Sequence, residues 1–233
     1  MTRPTTPRTD VSHLPQRRRE GAALEPAAGG AAVVKRLPFV RDDAALVAGL
    51  RAAEPWARAA LFDRFAPQVE RVLQRILGRD LHTDIEDLLH DTFVQALASL
   101  DRLRDPAAML GWMQSIAAHT AYRAIRARRA RRWLRFLEPS ELPDIHVDGV
   151  APEHVEAYRR TYALLERMPA AERIAFALRH VDGMELGRLA EINDCSLATI
   201  KRRLAKAERR FARAAERDEV LRPWVVEGGR WNR

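Results

Sequence analysis

The chain has 233 residues, of which 47% are apolar, so it can bury the core of one large domain or two small ones. Its formal charge of +8 favours a polyanionic partner, either nucleic acid or an anionic membrane surface. The single cysteine, Cys195, excludes an intrachain disulfide, and no apolar run reaches the roughly 18 residues of a membrane span. The N-terminus carries no secretory signal, so we expect a cytoplasmic protein with no membrane insertion, metal or cofactor.

The first half of the chain predicts a polar tail followed by consecutive helices. Residues 1–37 are rich in Pro, Arg, Thr, Gly and Ala and are expected to be disordered. From there the apolar spacing is helical and no alternating strand pattern occurs, which predicts an all-α fold. Asp42 is a predicted N-cap and Pro55 a first-turn residue, whereas Pro67 is expected to break or kink the helix that Pro55 begins.

Residues 83–100, TDIEDLLHDTFVQALASL, predict a helix with one acidic face. Thr83 and Glu86 have the spacing of a capping box. The inward positions are Ile85, Leu88, Leu89, Thr92, Phe93 and Ala96. The acidic residues opposite them are Asp84, Glu86, Asp87 and Asp91, with His90 beside them. By themselves these residues are consistent with a solvated face, a surface for a basic protein or a metal site.

Residues 119–136, HTAYRAIRARRARRWLRF, contain seven arginines with aromatic residues among them. Arginine suits phosphate contacts, and a ring such as that of Tyr122 can stack on a base. A solvated helix face is the alternative interpretation. The stretch that follows, residues 138–152, is rich in proline and acidic residues and predicts a flexible acidic linker.

The segment from Glu185 to Leu204 has the pattern of a helix-turn-helix. Asn193 is the predicted turn residue, and Ser196 is the predicted N-cap of the second helix. The inward positions are Leu186, Leu189, Ala190, Ile200 and Leu204. The outward positions of the second helix are Thr199, Lys201, Arg202, Arg203 and Lys206. Such side chains suit the DNA major groove, although a helix hairpin with a basic solvent face has the same pattern.

Three segments in order resemble the extracytoplasmic-function group of bacterial sigma factors. They are DIEDLLHDTFVQAL, GWMQSIAAHTAYRAIR and ELGRLAEINDCSLATIKRRLAKAERRF. The resemblance covers about residues 42–136 and 153–213. It implies two small helical domains, residues 38–137 and 153–216, joined by the acidic linker and followed by a tail at 217–233.

The resemblance also implies what each segment binds. The partners are core RNA polymerase and promoter DNA, and in this family commonly an anti-sigma factor. The residues matching the polymerase-binding helix are Asp84, Glu86, Asp87 and Asp91. Those matching the reader of the minus-ten element are His119, Tyr122, Arg123 and Arg126. Those assigned to the minus-thirty-five element are Ser196, Thr199, Lys201, Arg202 and Lys206.

Several of these residues depart from the family pattern. His119 replaces an amide, Arg123 replaces an acid, Ala198 replaces a glycine and Arg202 replaces a serine. These changes leave the fold expectation in place and leave the preferred promoter sequence open. Cys195, just before the second helix of the motif, is expected to be a small buried residue, with a redox switch as the alternative.

Two other classes of function compete with a non-catalytic sigma factor. A helix-turn-helix regulator would bind duplex DNA by itself as a dimer. A metal-dependent nuclease would use the acidic cluster. The sequence contains none of the nucleotide-binding, hydrolase or metalloprotease motifs, which favours a protein that is not an enzyme.

Overall fold

The computed structural model describes residues 42–78, 85–134 and 151–226. The α-helices in these ranges are α1 (Asp43–Arg51), α2 (Pro55–Leu77), α3 (Ile85–Ala98), α4 (Met109–Leu134), α5 (Pro152–Glu166), α6 (Ala170–Phe176), α7 (Leu186–Ile192), α8 (Leu197–Ala215) and α9 (Arg222–Val226). Two short 3-10 turns, Leu100–Arg102 and Pro106–Ala108, lead into α4, and a π-helical turn, Ala177–Val181, extends α6. The described part of the chain contains no β-strand, which confirms the all-α prediction.

Some sequence predictions lie outside the described residues. They are the tail at 1–37, the capping residue Thr83, the acidic residue Asp84, the linker up to residue 150 and the end of the C-terminal tail from residue 227. No helix in the described ranges is long and apolar enough to cross a bilayer.

Helices α1 and α2 begin where the sequence predicts, but Pro67 does not end α2. The Asp42 carboxylate accepts a hydrogen bond from the Ala44 amide at 2.9 Å, and Pro55 is the first residue of α2. Of the two outcomes expected at Pro67, a break or a kink, the break does not occur, because α2 continues through Pro67 to Leu77. A proline inside a helix costs about 3 kcal/mol. Buried side chains on both sides of it, such as Phe65 and Val69, each contribute about 1.5–3 kcal/mol and outweigh that cost.

The N-terminal helical region, α1–α4, packs around α2. Helix α2 lies against α1, α3 and α4. Its fully buried residues include Leu61, Leu73 and Ile76, and α4 contributes Met109 and Met113. This packing leaves one face of α3 and one face of α4 in contact with solvent, and these are the faces that carry the charged residues.

The C-terminal helical region, α5–α9, has a core of its own. Its buried residues are Tyr162, Leu165, Met168, Phe176, Ala207, Phe211, Ala215, Leu221 and Val225. Leu221 and Val225 belong to the predicted C-terminal tail, so the described part of that tail packs on this region. Trp224, in the same short helix, remains 49% exposed.

The two helical regions also share a continuous core. Ala170, Ile174, Leu189, Ile192 and Ile200 of the C-terminal region belong to the same buried cluster as the side chains of α1–α4. Helix α4 contacts both α6 and α7. All described residues therefore belong to one compact unit, in which the two predicted helical regions pack directly on each other.

Candidate nucleic-acid interface

The predicted helix-turn-helix is formed by α7 and α8. The Ser196 hydroxyl caps α8 by accepting a hydrogen bond from the Thr199 amide at 3.2 Å, which confirms the predicted N-cap. The turn differs from the prediction by one residue. Asp194, not Asn193, adopts the left-handed conformation, with φ of 45°. Asn193 has a φ of −90° and stabilises the turn by donating its side-chain amide to the Leu189 carbonyl at 2.8 Å.

One face of α8 is buried and the opposite face is cationic. The buried residues are Ile200, Leu204, Ala207, Phe211 and Ala215. Lys201, Arg202 and Lys206 are exposed, as the sequence predicts for groove contacts. Arg202 lies about 200° around the helix from Ile200, so it points away from the core. Thr199 is half-buried, and its hydroxyl lies 2.9 Å from that of Ser196, so this pair serves the helix cap.

The first turn of α8 also exposes a residue that the sequence reasoning missed. Leu197 is 45% exposed although it is a large apolar side chain. Its position directly after the N-cap places it in the part of a recognition helix that meets base edges. An apolar side chain there can contact the methyl group of thymine.

Cys195 precedes the cap of α8 and is half-buried. The Arg203 guanidinium donates from Nη1 to its sulfur at 3.7 Å. The half-buried Cys195 packs against the core that both helical regions share.

Helix α4 presents the residues assigned to the minus-ten element on one face. His119, Arg123 and Arg126 are exposed and recur at helical spacing, and Tyr122 between them is half-buried. The Arg126 guanidinium lies 5.8 Å from the centre of the Tyr122 ring and donates to its hydroxyl at 3.3 Å. This contact holds the ring at the edge of a cationic surface, an arrangement that suits a stacked base flanked by phosphates.

The imidazole of His119 is oriented by the backbone. Its Nδ1 lies 2.8 Å from the Ser115 carbonyl oxygen, which can only accept, so Nδ1 carries the hydrogen. In the neutral ring this leaves Nε2 as an acceptor, whereas the protonated ring donates from both nitrogens.

The acidic face of α3 is exposed and continues into an apolar strip. Glu86, Asp87 and Asp91 are exposed, and the predicted inward stripe is buried or half-buried. Val94 and Leu97, one and two turns further on, are 50% and 36% exposed. In the described ranges no three His, Cys, Asp or Glu side chains lie close enough together to hold a metal ion.

The fold brings the α4 and α7–α8 segments together. A cavity of about 190 Å³ is lined by His119 and Tyr122 of α4 and by Asn193 and Arg203 of the helix-turn-helix segment. Nearby, the Ser115 hydroxyl donates to the Ile192 carbonyl at 2.9 Å. The sequence places these residues in two different domains, and their proximity is a property of the tertiary structure.

Arg173 is a second residue that the sequence reasoning missed. Only 2% of it is exposed, and its guanidinium donates to the Ile76 and Leu77 carbonyls at 2.8 and 2.9 Å. Burial lowers the pKa of Arg173 to about 10. The negative charge of Glu166 raises this pKa by a smaller amount, and the positive charge of Arg128 lowers it further. The side chain is therefore still charged at neutral pH. The sequence did contain a signal for the burial of Arg173. This residue lies three positions after Ala170 and directly before Ile174, both of which are buried, so the helical period places it on the buried face.

Comparison with protein families yields two matches. Residues 61–131 match sigma-70 region 2, and residues 158–211 match sigma-70 region 4. The first match contains α3 and most of α4, and the second contains the helix-turn-helix. Together they span more than half of the chain.

Similar curated proteins and solved structures agree with these matches. An ECF RNA polymerase sigma-E factor of Haemophilus influenzae is 28% identical over 174 residues, which is 71% of this chain and 90% of the relative. The protein of the same description from Escherichia coli K12 is 25% identical with the same coverage.

Two solved structures share the fold. CnrH in complex with the cytosolic domain of CnrY has a TM-score of 0.52 at 20% identity, covering 76% of this chain and 99% of that one. The sigma factor RpoE bound to the anti-sigma factor NepR, from Bartonella quintana, has a TM-score of 0.50 at 21% identity, covering 68% and 96%. The two regions in this order, with these relatives, show that the chain belongs to the extracytoplasmic-function group of the sigma-70 family.

Proposed function

We propose that this sigma factor, which directs transcription initiation, acts through three exposed surfaces of different chemistry. The observation that supports the proposal is that the negatively and positively charged surfaces lie on different helices. Helix α3 exposes carboxylates, whereas α4 and the first turns of α8 expose cations. A protein that bridges a polymerase and DNA requires surfaces of opposite sign on different elements.

Helix α3 is the proposed surface for core RNA polymerase. Its carboxylates Glu86, Asp87 and Asp91 suit a basic partner, and Asp84 is assigned to the same surface from the sequence alone. Val94 and Leu97 extend it with exposed apolar area. Exposed apolar side chains beside charged ones are typical of a protein interface, where an apolar centre is surrounded by a polar rim.

Helix α4 is the proposed reader of the minus-ten element. Arg123 and Arg126 supply positive charge to phosphates, and Tyr122 supplies a ring on which an unpaired base can stack. His119 supplies a polar edge whose hydrogen-bonding pattern changes with its protonation. Because the family usually has an amide and an acid at positions 119 and 123, we propose that these two residues alter the preferred promoter sequence.

Helix α8 is the proposed reader of the minus-thirty-five element. Arg202 is directed away from the core and is the best placed of its cations for a base edge, whereas Lys201 and Lys206 flank it and suit phosphates. Leu197 adds an apolar contact. Ser196 and Thr199, which form the cap, orient the first turn of the helix.

The partners that follow are core polymerase and promoter DNA. An anti-sigma factor is a further proposed partner, because one of the similar structures is a sigma factor held by an anti-sigma factor. Sigma factors are generally non-catalytic, and we propose the same for this chain, with the polymerase performing the chemistry in the cytoplasm.

The experiment that tests this function is a pull-down with purified core RNA polymerase, followed by transcription from a promoter library. We expect the chain to bind core polymerase and to select a subset of promoters with two conserved elements. Tight dimeric binding to duplex DNA without any association with core polymerase would instead establish a conventional helix-turn-helix regulator.

Replacing Arg202 with alanine is expected to weaken use of the minus-thirty-five element by about 1–3 kcal/mol, because a base contact is lost. The measurement compares transcription from promoters that differ only at that element. Arg213→Ala is the matched control, since Arg213 is exposed in the last turn of the same helix. An equal loss on every promoter sequence would show that Arg202 contacts phosphate and does not read bases.

A further inference from the structure

The cavity between α4 and the helix-turn-helix segment has an apolar floor and a polar rim. Its volume is about 190 Å³. Ile174 and Ile192 line it and are 2% and 1% exposed, so they form a buried apolar floor. His119, Asn193 and Arg203 line it as exposed or half-buried polar residues. An apolar cavity on which a few polar groups converge is the usual form of a small-molecule site.

Arg203 brings a positive charge to this cavity, and no carboxylate among the described residues pairs with it. Its guanidinium donates from Nη1 to the Cys195 sulfur at 3.7 Å, and a thiol is a weak acceptor. The half-buried arginines described in α4, α5 and α7 lie 3.6, 3.6 and 2.9 Å from a glutamate carboxylate, and they are Arg128, Arg159 and Arg188. A guanidinium that has lost part of its water is stabilised by an anion that accepts two of its hydrogens.

Two further groups on the rim favour a flat ligand that also donates a hydrogen bond. The neutral His119 ring carries its hydrogen on Nδ1, so its Nε2 can accept from a ligand hydroxyl. Tyr122 lines the cavity and supplies an aromatic ring. Its hydroxyl accepts from Arg126 at 3.3 Å, so its own hydrogen is left to donate to a ligand.

The volume of the cavity limits the ligand to a single ring. A cavity of roughly 150 Å³ holds one benzene molecule. The space of about 190 Å³ therefore admits one ring with one or two small substituents. None of the described residues that line the cavity is acidic, so no carboxylate there repels an anion.

We propose that this cavity is a binding site for a small hydroxylated aromatic carboxylate. The ring lies on the floor formed by Ile174 and Ile192, and the carboxylate pairs with Arg203. Burial of the ring and a charge-assisted pair with a guanidinium act together, because the apolar floor and the cation belong to the same cavity.

A ligand in this site covers part of the surface assigned to the minus-ten element. His119 and Tyr122 line the cavity and are also proposed to contact that element. The ligand and the promoter therefore compete, and each weakens binding of the other by the same factor. The site makes promoter use responsive to the concentration of an aromatic acid. This consequence, unlike the binding itself, rests on the proposed function of α4.

A titration of the full chain with meta-hydroxybenzoate tests the site. Ligand-observed NMR measures the dissociation constant, which for a ligand of about ten non-hydrogen atoms is expected to be about 0.1–10 mM. Meta-hydroxybenzamide keeps the ring and the hydroxyl but has no negative charge, so we expect it to bind at least about tenfold more weakly. Equal binding of the two compounds, or no binding of meta- or para-hydroxybenzoate at about 20 mM, would overturn the proposal.

Replacing Arg203 with methionine tests whether the compound binds in this cavity. The substitution removes the charge and keeps an apolar stem, so we expect binding of meta-hydroxybenzoate to weaken about tenfold or more. Arg209→Met is the matched control at an exposed position of the same helix, and it is expected to leave the dissociation constant unchanged. Undiminished binding by a folded Arg203→Met protein would place the compound elsewhere and would contradict the proposal.

Ala171→Leu covers the case in which Arg203→Met does not fold. Ala171 lines the cavity and is half-buried in α6, so a leucine there fills the space without removing a polar contact. Folding is checked by helical circular dichroism. A folded Ala171→Leu protein is expected to lose the binding, and a dissociation constant equal to that of the parent would rule the site out.

Transcription tests the competition with the promoter separately. At about five times its dissociation constant, meta-hydroxybenzoate is expected to lower promoter-specific transcription by the parent about threefold or more and to leave that of Ala171→Leu unchanged. Unaltered transcription by a parent that binds the compound, or an equal decrease for both proteins, would overturn the competition. If the protein without any compound directs no transcription, the proposed function fails, whereas the titration still decides whether the site binds an aromatic acid.

Discussion

Replacing Asp91 with lysine is expected to weaken binding to core RNA polymerase by about a hundredfold, because the substitution places like charges opposite each other at the interface, which costs several kcal/mol. Asp91 is exposed on α3 and is not one of the buried residues of that helix. We therefore expect the variant to keep the fold of the parent protein. The measurement is a titration of labelled sigma factor with core polymerase at low salt, where surface charges are least screened.

The matched control for Asp91→Lys is Asp101→Lys, which makes the same change of charge at an exposed position in the 3-10 turn after α3. We expect this control to bind nearly as well as the parent. If the two variants bind core polymerase equally, the effect is one of net charge and the acidic face of α3 is not the contact surface.

Replacing Ile200 with alanine is expected to lower the free energy of unfolding by about 2–5 kcal/mol, since a large aliphatic side chain is removed from a packed core. Ile200 is 0% exposed and belongs to the cluster that both helical regions share. The loss is therefore expected to destabilise the whole unit. Urea unfolding followed by circular dichroism measures it, and one cooperative transition is the expected form.

Leu197→Ala is the control for Ile200→Ala, because Leu197 is in the same helix but is 45% exposed. Its effect on the free energy of unfolding is expected to stay within about 0.5 kcal/mol. Equal losses for the two variants would contradict the orientation of α8 described above.

Much of the helical structure could be predicted because its determinants are local. The Asp42 side chain accepts a hydrogen bond from an amide two residues away, and the Ser196 side chain accepts one from an amide three residues away. Each cap is therefore determined by a short segment of the chain. The exposed positions of α3, α4 and α8 follow from the helical period for the same reason. The sequence therefore predicted correctly that most of the charged residues on these helices are exposed.

At the turn between α7 and α8 and at Pro67, local conformational preference was not enough to predict the structure. Asn and Asp both tolerate the left-handed conformation, and the sequence pattern does not distinguish Asn193 from Asp194. The side-chain amide of Asn193 instead donates a hydrogen bond to the Leu189 carbonyl. Pro67 remains within α2 because core packing on either side outweighs the missing hydrogen bond, and that packing involves helices distant in the chain.

By itself the sequence determined the helices, their caps and which charged faces meet solvent, because these depend on neighbours within a few residues. Only the tertiary structure decided that the two regions share a core and that Arg173 caps α2. The two carbonyls that Arg173 satisfies are 97 and 96 residues away from it in the chain, and no local pattern specifies such a pairing. The buried charge is stable there because a distant helix end supplies the acceptors it requires.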